Sequence, residues 1–175
     1  MRANPLTVST VYNTESFIKN ENQRTMPHSF NKIWIHAIWS TKNRLPFLDE
    51  SIEQKVHEYT RQQFKDSGCP VRIINGMPDH VHCLFLLNPK KSIAEVIKQV
   101  KGSTSHWVNQ QEELAQRCAK QGGHSFAWQT GYVAYSVSES LVEKVYQYIK
   151  QQNQHHQQRS FQEEYEALLA LHALS

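Results

Sequence analysis

The apolar runs "VRIINGM" and "HVHCLFLL", separated only by Pro78-Asp79, limit the fold more than any other feature of the chain. Both are short and rich in β-branched residues, and a turn-forming dipeptide joins them, so they read as two strands of a hairpin. Residues two apart on a strand point to one face. His80 and His82 therefore project side by side from a single surface of the sheet, where they could share one ligand.

The remaining segments extend the hairpin in both directions. "NKIWIHAIWST" (Asn31 to Thr41) is dense in aromatic and β-branched residues and reads as a first strand, apolar on both faces. Asp49 is placed to cap a helix through Ile52, Val56, Tyr59 and Phe64, which "SGCP" stops. After the hairpin, Ile93, Val96, Ile97 and Val100 follow the i, i+3, i+4, i+7 rule and predict a second helix reaching Trp107 or beyond. "QRCAKQGGHSFAWQTG" breaks that pattern and reads as loop, and "YVAYSV" (Tyr132 to Val137) reads as a fourth strand. Ser140 and Glu143 have capping-box spacing and open a helix through Leu141, Val145, Tyr148 and Gln152. The order is β-α-β-β-α-β plus a helix, an α+β, ferredoxin-like arrangement with one antiparallel sheet and two helices packed on one face. "FQEEYEALLALHAL" predicts a further amphipathic helix near the end, and residues 1–29 are polar and aperiodic, as expected of a disordered extension.

At 175 residues and 39% hydrophobic content, the chain suits one compact domain. Cys69, Cys83 and Cys118 are irregularly spaced and form no CxxC pair, which speaks against a disulfide framework or a cysteine zinc site. No apolar run approaches the roughly 20 residues of a membrane helix. A cytoplasmic protein without membrane partners is expected. The net charge of +3 permits nucleic acid as a partner without requiring it.

Two readings of the His pair stand side by side at this point. One makes His80 and His82 polar positions on a solvated face; the other makes them half of a metal site, on the sheet face that the two packed helices leave free. The helix after the fourth strand is long enough to cross that face. Its Tyr148 and Gln152, four apart, are either a core tyrosine and a surface glutamine or a nucleophile and a third ligand. A tyrosine hydroxyl, a metal-competent amide and a His-x-His pair are together the parts for attack on a phosphodiester.

"WSTKNR", "INGMPDHVHCLF", "GYVAYSVSES" and "VYQYIKQQNQHHQQRSFQEEY", in this order and separation, resemble the single-tyrosine HUH-endonuclease transposases of bacterial insertion sequences (IS200-like) and their REP-associated relatives. The resemblance runs from about Ile33 to Leu174, and on it residues 30–175 form an HUH catalytic domain. It implies that His80 and His82 bind a divalent metal, Mg²⁺ or Mn²⁺, that Tyr148 is the nucleophile and that Gln152 completes the metal site. Many relatives read Tyr-Ile-x-Asn-Gln where this chain has Lys150-Gln151-Gln152, and His155-His156, three residues on, favours Gln152 as the equivalent amide.

The resemblance further implies cleavage and rejoining of single-stranded DNA near hairpins through a 5′-phosphotyrosine. It also implies a homodimer, in which the tyrosine helix of one subunit could cross to the His pair of the other. Candidate DNA contacts are Lys42, Asn43, Arg44, Lys98 and Lys101, each of which could equally be an ordinary surface residue. Trp39, Trp107 and Trp128 suit the core better than base stacking, and His36, His57, His106, His124, His155 and His156 receive no role beyond packing or backbone contact. Two readings compete with a mobile transposase: a domesticated, REP-associated hairpin endonuclease, and a non-catalytic module binding nucleic acid on an open sheet. The second lacks the RNP1 pattern that such modules carry.

Overall fold

A computed structural model describes residues 30–122 and 125–152. The early residues, the Gln- and His-rich stretch and the expected last helix lie outside these. Four strands, β1 (Trp34–Ser40), β2 (Val71–Met77), β3 (His80–Leu86) and β4 (Val133–Val137), form one antiparallel sheet in the order β2-β3-β1-β4. Helices α1 (Glu53–Asp66), α2 (Ile93–Gln110), α3 (Glu112–Gly122) and α4 (Val142–Lys150) complete it. The ferredoxin-like order expected from the sequence is present, with β2 and β3 joined through Pro78-Asp79.

Strand parity decides what each sheet face buries. Ile35, Ala37 and Trp39 of β1 and Val81, Cys83 and Phe85 of β3 pack in one cluster with Val56 and Phe64 of α1 and Val96, Ile97 and Val100 of α2. The opposite parity, with Trp34, Leu84 and Val137, packs against Val142, Val145 and Ile149 of α4. The central strands are thus covered on both sides, and β3 is buried along nearly its whole length. Cys69, Cys83 and Cys118 are free and buried, with burial pushing the Cys83 thiol up. Among the described residues no helix is long and apolar enough to cross a membrane.

Three local expectations need correction. α3 occupies part of the stretch read as loop; its buried Leu114 and Cys118 are four apart, a helical signal hidden among polar neighbours. Asp49 does not cap α1: its carboxylate accepts from the Ser51 hydroxyl and backbone N–H and binds Arg117 Nη2 of α3 at 2.6 Å, so Ile52 takes the cap position. Ser140 is no N-cap either. Residues Glu139–Leu141 form a 3-10 turn and α4 starts at Val142, while Glu143 pairs with Arg72 of β2 at 2.7 Å. The capping box that does form is Ser92 with Glu95, at the start of α2.

Candidate active site

Register brings the site together. On β1, Ile38 lies opposite His82 and Ser40 opposite His80; on β2, Asn75 lies opposite His82. Directly paired residues and those two apart share a face, so His36, His80, His82 and Asn75 all lie on the side that α4 covers. His80 and His82 are 5% and 1% exposed, which removes the reading of them as solvated positions. Their ring centroids are 5.2 Å apart. Tyr148, half-buried on α4, places its ring 5.9 Å from that of His82 and 6.3 Å from that of His36, edge-on to both.

Each histidine of the pair is held at Nδ1 by a different kind of partner. His80 Nδ1 is 2.7 Å from Asp79 Oδ1, whose other oxygen accepts from Arg44 Nε at 2.8 Å. Burial works to raise the Asp79 carboxyl, but His80 and Arg44 outweigh it and hold it below its ordinary value. The loop after β1 fixes this turn: Thr41 N–H and Leu48 N–H donate to the carbonyls of Asp79 and Pro78, both at 2.8 Å. Asn43 and Arg44 adopt left-handed φ of 57° and 55° there, a conformation disfavoured for arginine. His82 Nδ1 instead lies 3.0 Å from Nε2 of His36, which is wholly buried.

Asn75 ties the helix to this surface. Its Nδ2 donates to the carbonyls of Ile149 at 2.8 Å and Lys150 at 3.3 Å, satisfying orphan acceptors at the end of α4. Gln152 was expected on the same helical stripe as Tyr148, but α4 ends at Lys150 with Gln151 as its cap. Gln152 lies just beyond and is 1% exposed, so it is no surface glutamine. Neither polar atom of its carboxamide has a hydrogen-bond partner among the described residues. A buried amide in this condition costs on the order of 1–3 kcal/mol unless a ligand engages it.

Backbone space beside the pair is closed. A Cβ at Gly76 would collide with the His80 carbonyl and sit 2.8 Å from Val81 Cα.

The donor set fits a divalent cation. Among the described residues no group of three or more His, Cys, Asp and Glu side chains is suited to a metal, so a third ligand to the His pair would be of another type, and the buried carboxamide of Gln152 is the candidate the sequence offers. Two imidazoles and a neutral carboxamide suit Mn²⁺ and are acceptable to Mg²⁺.

The expected DNA contacts differ in their surroundings. Lys42, Asn43 and Lys98 are exposed. Arg44 is engaged with Asp79, as above. Lys101 directs its ammonium at the carbonyls of Gln129, Thr130 and Gly131, at 2.6, 3.0 and 3.0 Å, and thereby fixes the loop before β4. Trp39 and Trp128 are buried, and Trp107 stacks on Tyr59 with centroids 4.5 Å apart. His36, Asp79 and Asn75 were missed as site residues. The parity of β1 would have exposed His36 once β1 was known to pair with β3, whereas Asp79 read only as a turn former.

Residues 29–152 match the family model described as "Transposase IS200 like". The chain is 27% identical over 123 residues to the ISDra2 transposase TnpA of Deinococcus radiodurans, covering 67% of this chain and 82% of that protein. A crystal structure of a candidate transposase from Deinococcus radiodurans R1 superposes with a TM-score of 0.57 at 25% identity, covering 74% of this chain and 98% of that one. A REP-associated tyrosine transposase bound to a REP hairpin gives a TM-score of 0.45 at 12% identity, over 70% of this chain and 66% of that one. With the family model spanning the sheet, the His pair and the tyrosine helix, the chain belongs to the IS200-like transposases, enzymes that cut and join DNA.

Proposed function

We propose that this transposase acts on single-stranded DNA near hairpins, with Tyr148 as nucleophile and His80, His82 and Gln152 as holders of one divalent metal ion. The observation that carries the proposal is the packing of Tyr148 against His82, on a face that also buries His80 and lies beneath the end of α4. Bound there, the ion would supply Lewis-acid stabilisation of the charge that develops on the phosphoryl and leaving oxygens. Tyr148 Oη, which is buried in this structure, gives up its proton as it forms a bond to phosphorus and the bond to the 3′ oxygen breaks. That oxygen takes up a proton, leaving a free 3′-OH and a 5′-phosphotyrosine. Rejoining reverses the step: a 3′-OH attacks the phosphotyrosine and regenerates the tyrosine. Because the diester bond is exchanged and never hydrolysed, no nucleotide cofactor is needed.

The hairpin preference and a homodimer follow from the resemblance of the motifs, since two element ends require two tyrosines. In this structure α4 packs on the sheet of its own chain, so the crossed arrangement is not needed to bring Tyr148 to His82. Lys42, Asn43 and Lys98 are the contacts we assign to DNA phosphates. A purely base-stacking module is the weaker reading, because α4 covers the sheet face such a module would leave open. The deciding experiment incubates the full chain with Mn²⁺ and hairpin-bearing single-stranded DNA, then resolves it on a denaturing gel. A covalent adduct that Tyr148→Phe abolishes and chelator prevents is expected; an adduct that survives the substitution overturns the assignment.

A further inference from the structure

The two histidines are supported by unlike groups, and only one of these supports is a carboxylate. His80 has the arrangement common among metal-binding histidines, with Nδ1 on an acid. His82 has a second imidazole there, His36 Nε2 at 3.0 Å, wholly buried and in edge contact with Tyr148. Between two neutral imidazoles one nitrogen must donate and the other accept, so the contact fixes the tautomers of both rings together. If His82 donates from Nδ1, its Nε2 carries a lone pair and His36 carries its own proton on Nδ1. The reverse pairing leaves a proton on His82 Nε2 and makes the ring useless as a ligand through that atom.

We propose that His36 is a positioning residue that holds His82 as the Nδ1–H tautomer, with Nε2 ready for the metal, and keeps the ring at its distance from Tyr148. This rests on the reading of His82 as a ligand given above, but the tautomer can be measured without metal. The full chain, ¹⁵N-labelled at histidine and metal-free at pH 8, where an ordinary imidazole is neutral, is examined by long-range ¹H–¹⁵N correlation. Nδ1–H on His82 with bare Nε2 is expected. Finding Nε2–H on His82 overturns the proposal, and because this needs only the wild type, a variant that fails to fold cannot remove the test.

The second measurement is Mn²⁺ affinity without DNA, from the spin-resonance signal of free Mn²⁺. His36→Phe keeps the bulk and removes the acceptor, and it should weaken binding about 10–100-fold. His36→Gln, whose amide oxygen can accept from Nδ1–H, should recover part of the loss. A loss of packing alone would lower the melting temperature of both variants without separating their Mn²⁺ affinities. Equal binding by wild type and His36→Phe overturns the proposal. Absence of Mn²⁺ binding in the wild type overturns the metal reading instead, while the tautomer measurement still decides the role of His36.

Discussion

The face of the sheet under α1 and α2 is apolar throughout, whereas the face under α4 sets buried imidazoles and an amide beside a smaller apolar cluster. Beneath α1 and α2, the β3 positions are Val81, Cys83 and Phe85, in contact with aliphatic and aromatic neighbours throughout. One residue along the same strand, the opposite parity gives His80, His82 and Leu84, with His36 and Asn75 beside them. A dry apolar layer stabilises by area removed from water and tolerates no cavity. A layer of imidazoles and amides stabilises little, because each polar group that is bonded merely recovers what desolvation cost. Along β3, apolar burial is thus concentrated on one side and polar groups on the other, and on the function proposed above the two are separable by mutation.

The largest effect is expected where chemistry is removed and volume is kept. His82→Leu should lower covalent adduct formation at least about 1,000-fold, while costing no more than about 1–3 kcal/mol of stability, the penalty for taking the His82 ring away from the buried His36 Nε2. A melt lowered as much as that of a core mutant would mean that both faces carry the fold. Phe85→Ala is the mirror experiment. Phe85 is fully buried, with its ring centroid 4.6 Å from that of Phe64, and its truncation should cost about 3–5 kcal/mol in denaturant unfolding. The folded fraction of Phe85→Ala should still form adduct at the wild-type rate.

The third prediction sharpens the comparison through pH. His57 on α1 has its pKa lowered from 6.5 to about 4, by burial first and by Arg61 second. Above pH 6.5 the ring is neutral in both folded and unfolded chains, and its contribution is fully present. Between 6.5 and about 4 the unfolded chain takes up a proton that the folded chain refuses, so stability falls with pH by up to about 3 kcal/mol. Chemical denaturation of His57→Phe against wild type across that window should show a shallower slope for the variant; parallel slopes would refute the assignment. The smallest effect concerns Asn75. Its replacement by Ala should cost about 1–2 kcal/mol and slow adduct formation by loosening the end of α4, and a variant cleaving at full rate would show that other contacts place the helix.

Much of this architecture was legible because it rests on short-range rules. Pro78-Asp79 between two apolar runs fixes the hairpin, and the spacing of His80 and His82 fixes their common face whatever the rest of the chain does. His36 was not legible in the same way. "WIHAIWS" is apolar at almost every position, so it has no visible polar side, and its partner in space is set by the pairing of β1 with β3 across 46 residues. The burial of Gln152 was obscured for a related reason: it stands in a Gln-rich stretch whose composition suggests solvent, and only tertiary packing covers it. Ser140 and Glu143 had the spacing of a cap, but Arg72 on β2 claims Glu143, a tertiary ion pair that no local pattern reveals.

Gly76, opposite Val81 and next to the site, carries a consequence for how copies of such a gene decay. Any side chain there meets the backbone of His80 and Val81, so β2 and β3 would have to part and His80 would move with them. Every change at the first or second base of a glycine codon introduces a Cβ or ends the protein. On the function proposed above, a drifting copy can therefore lose its cutting activity through one base change that leaves Tyr148, His80 and His82 in place.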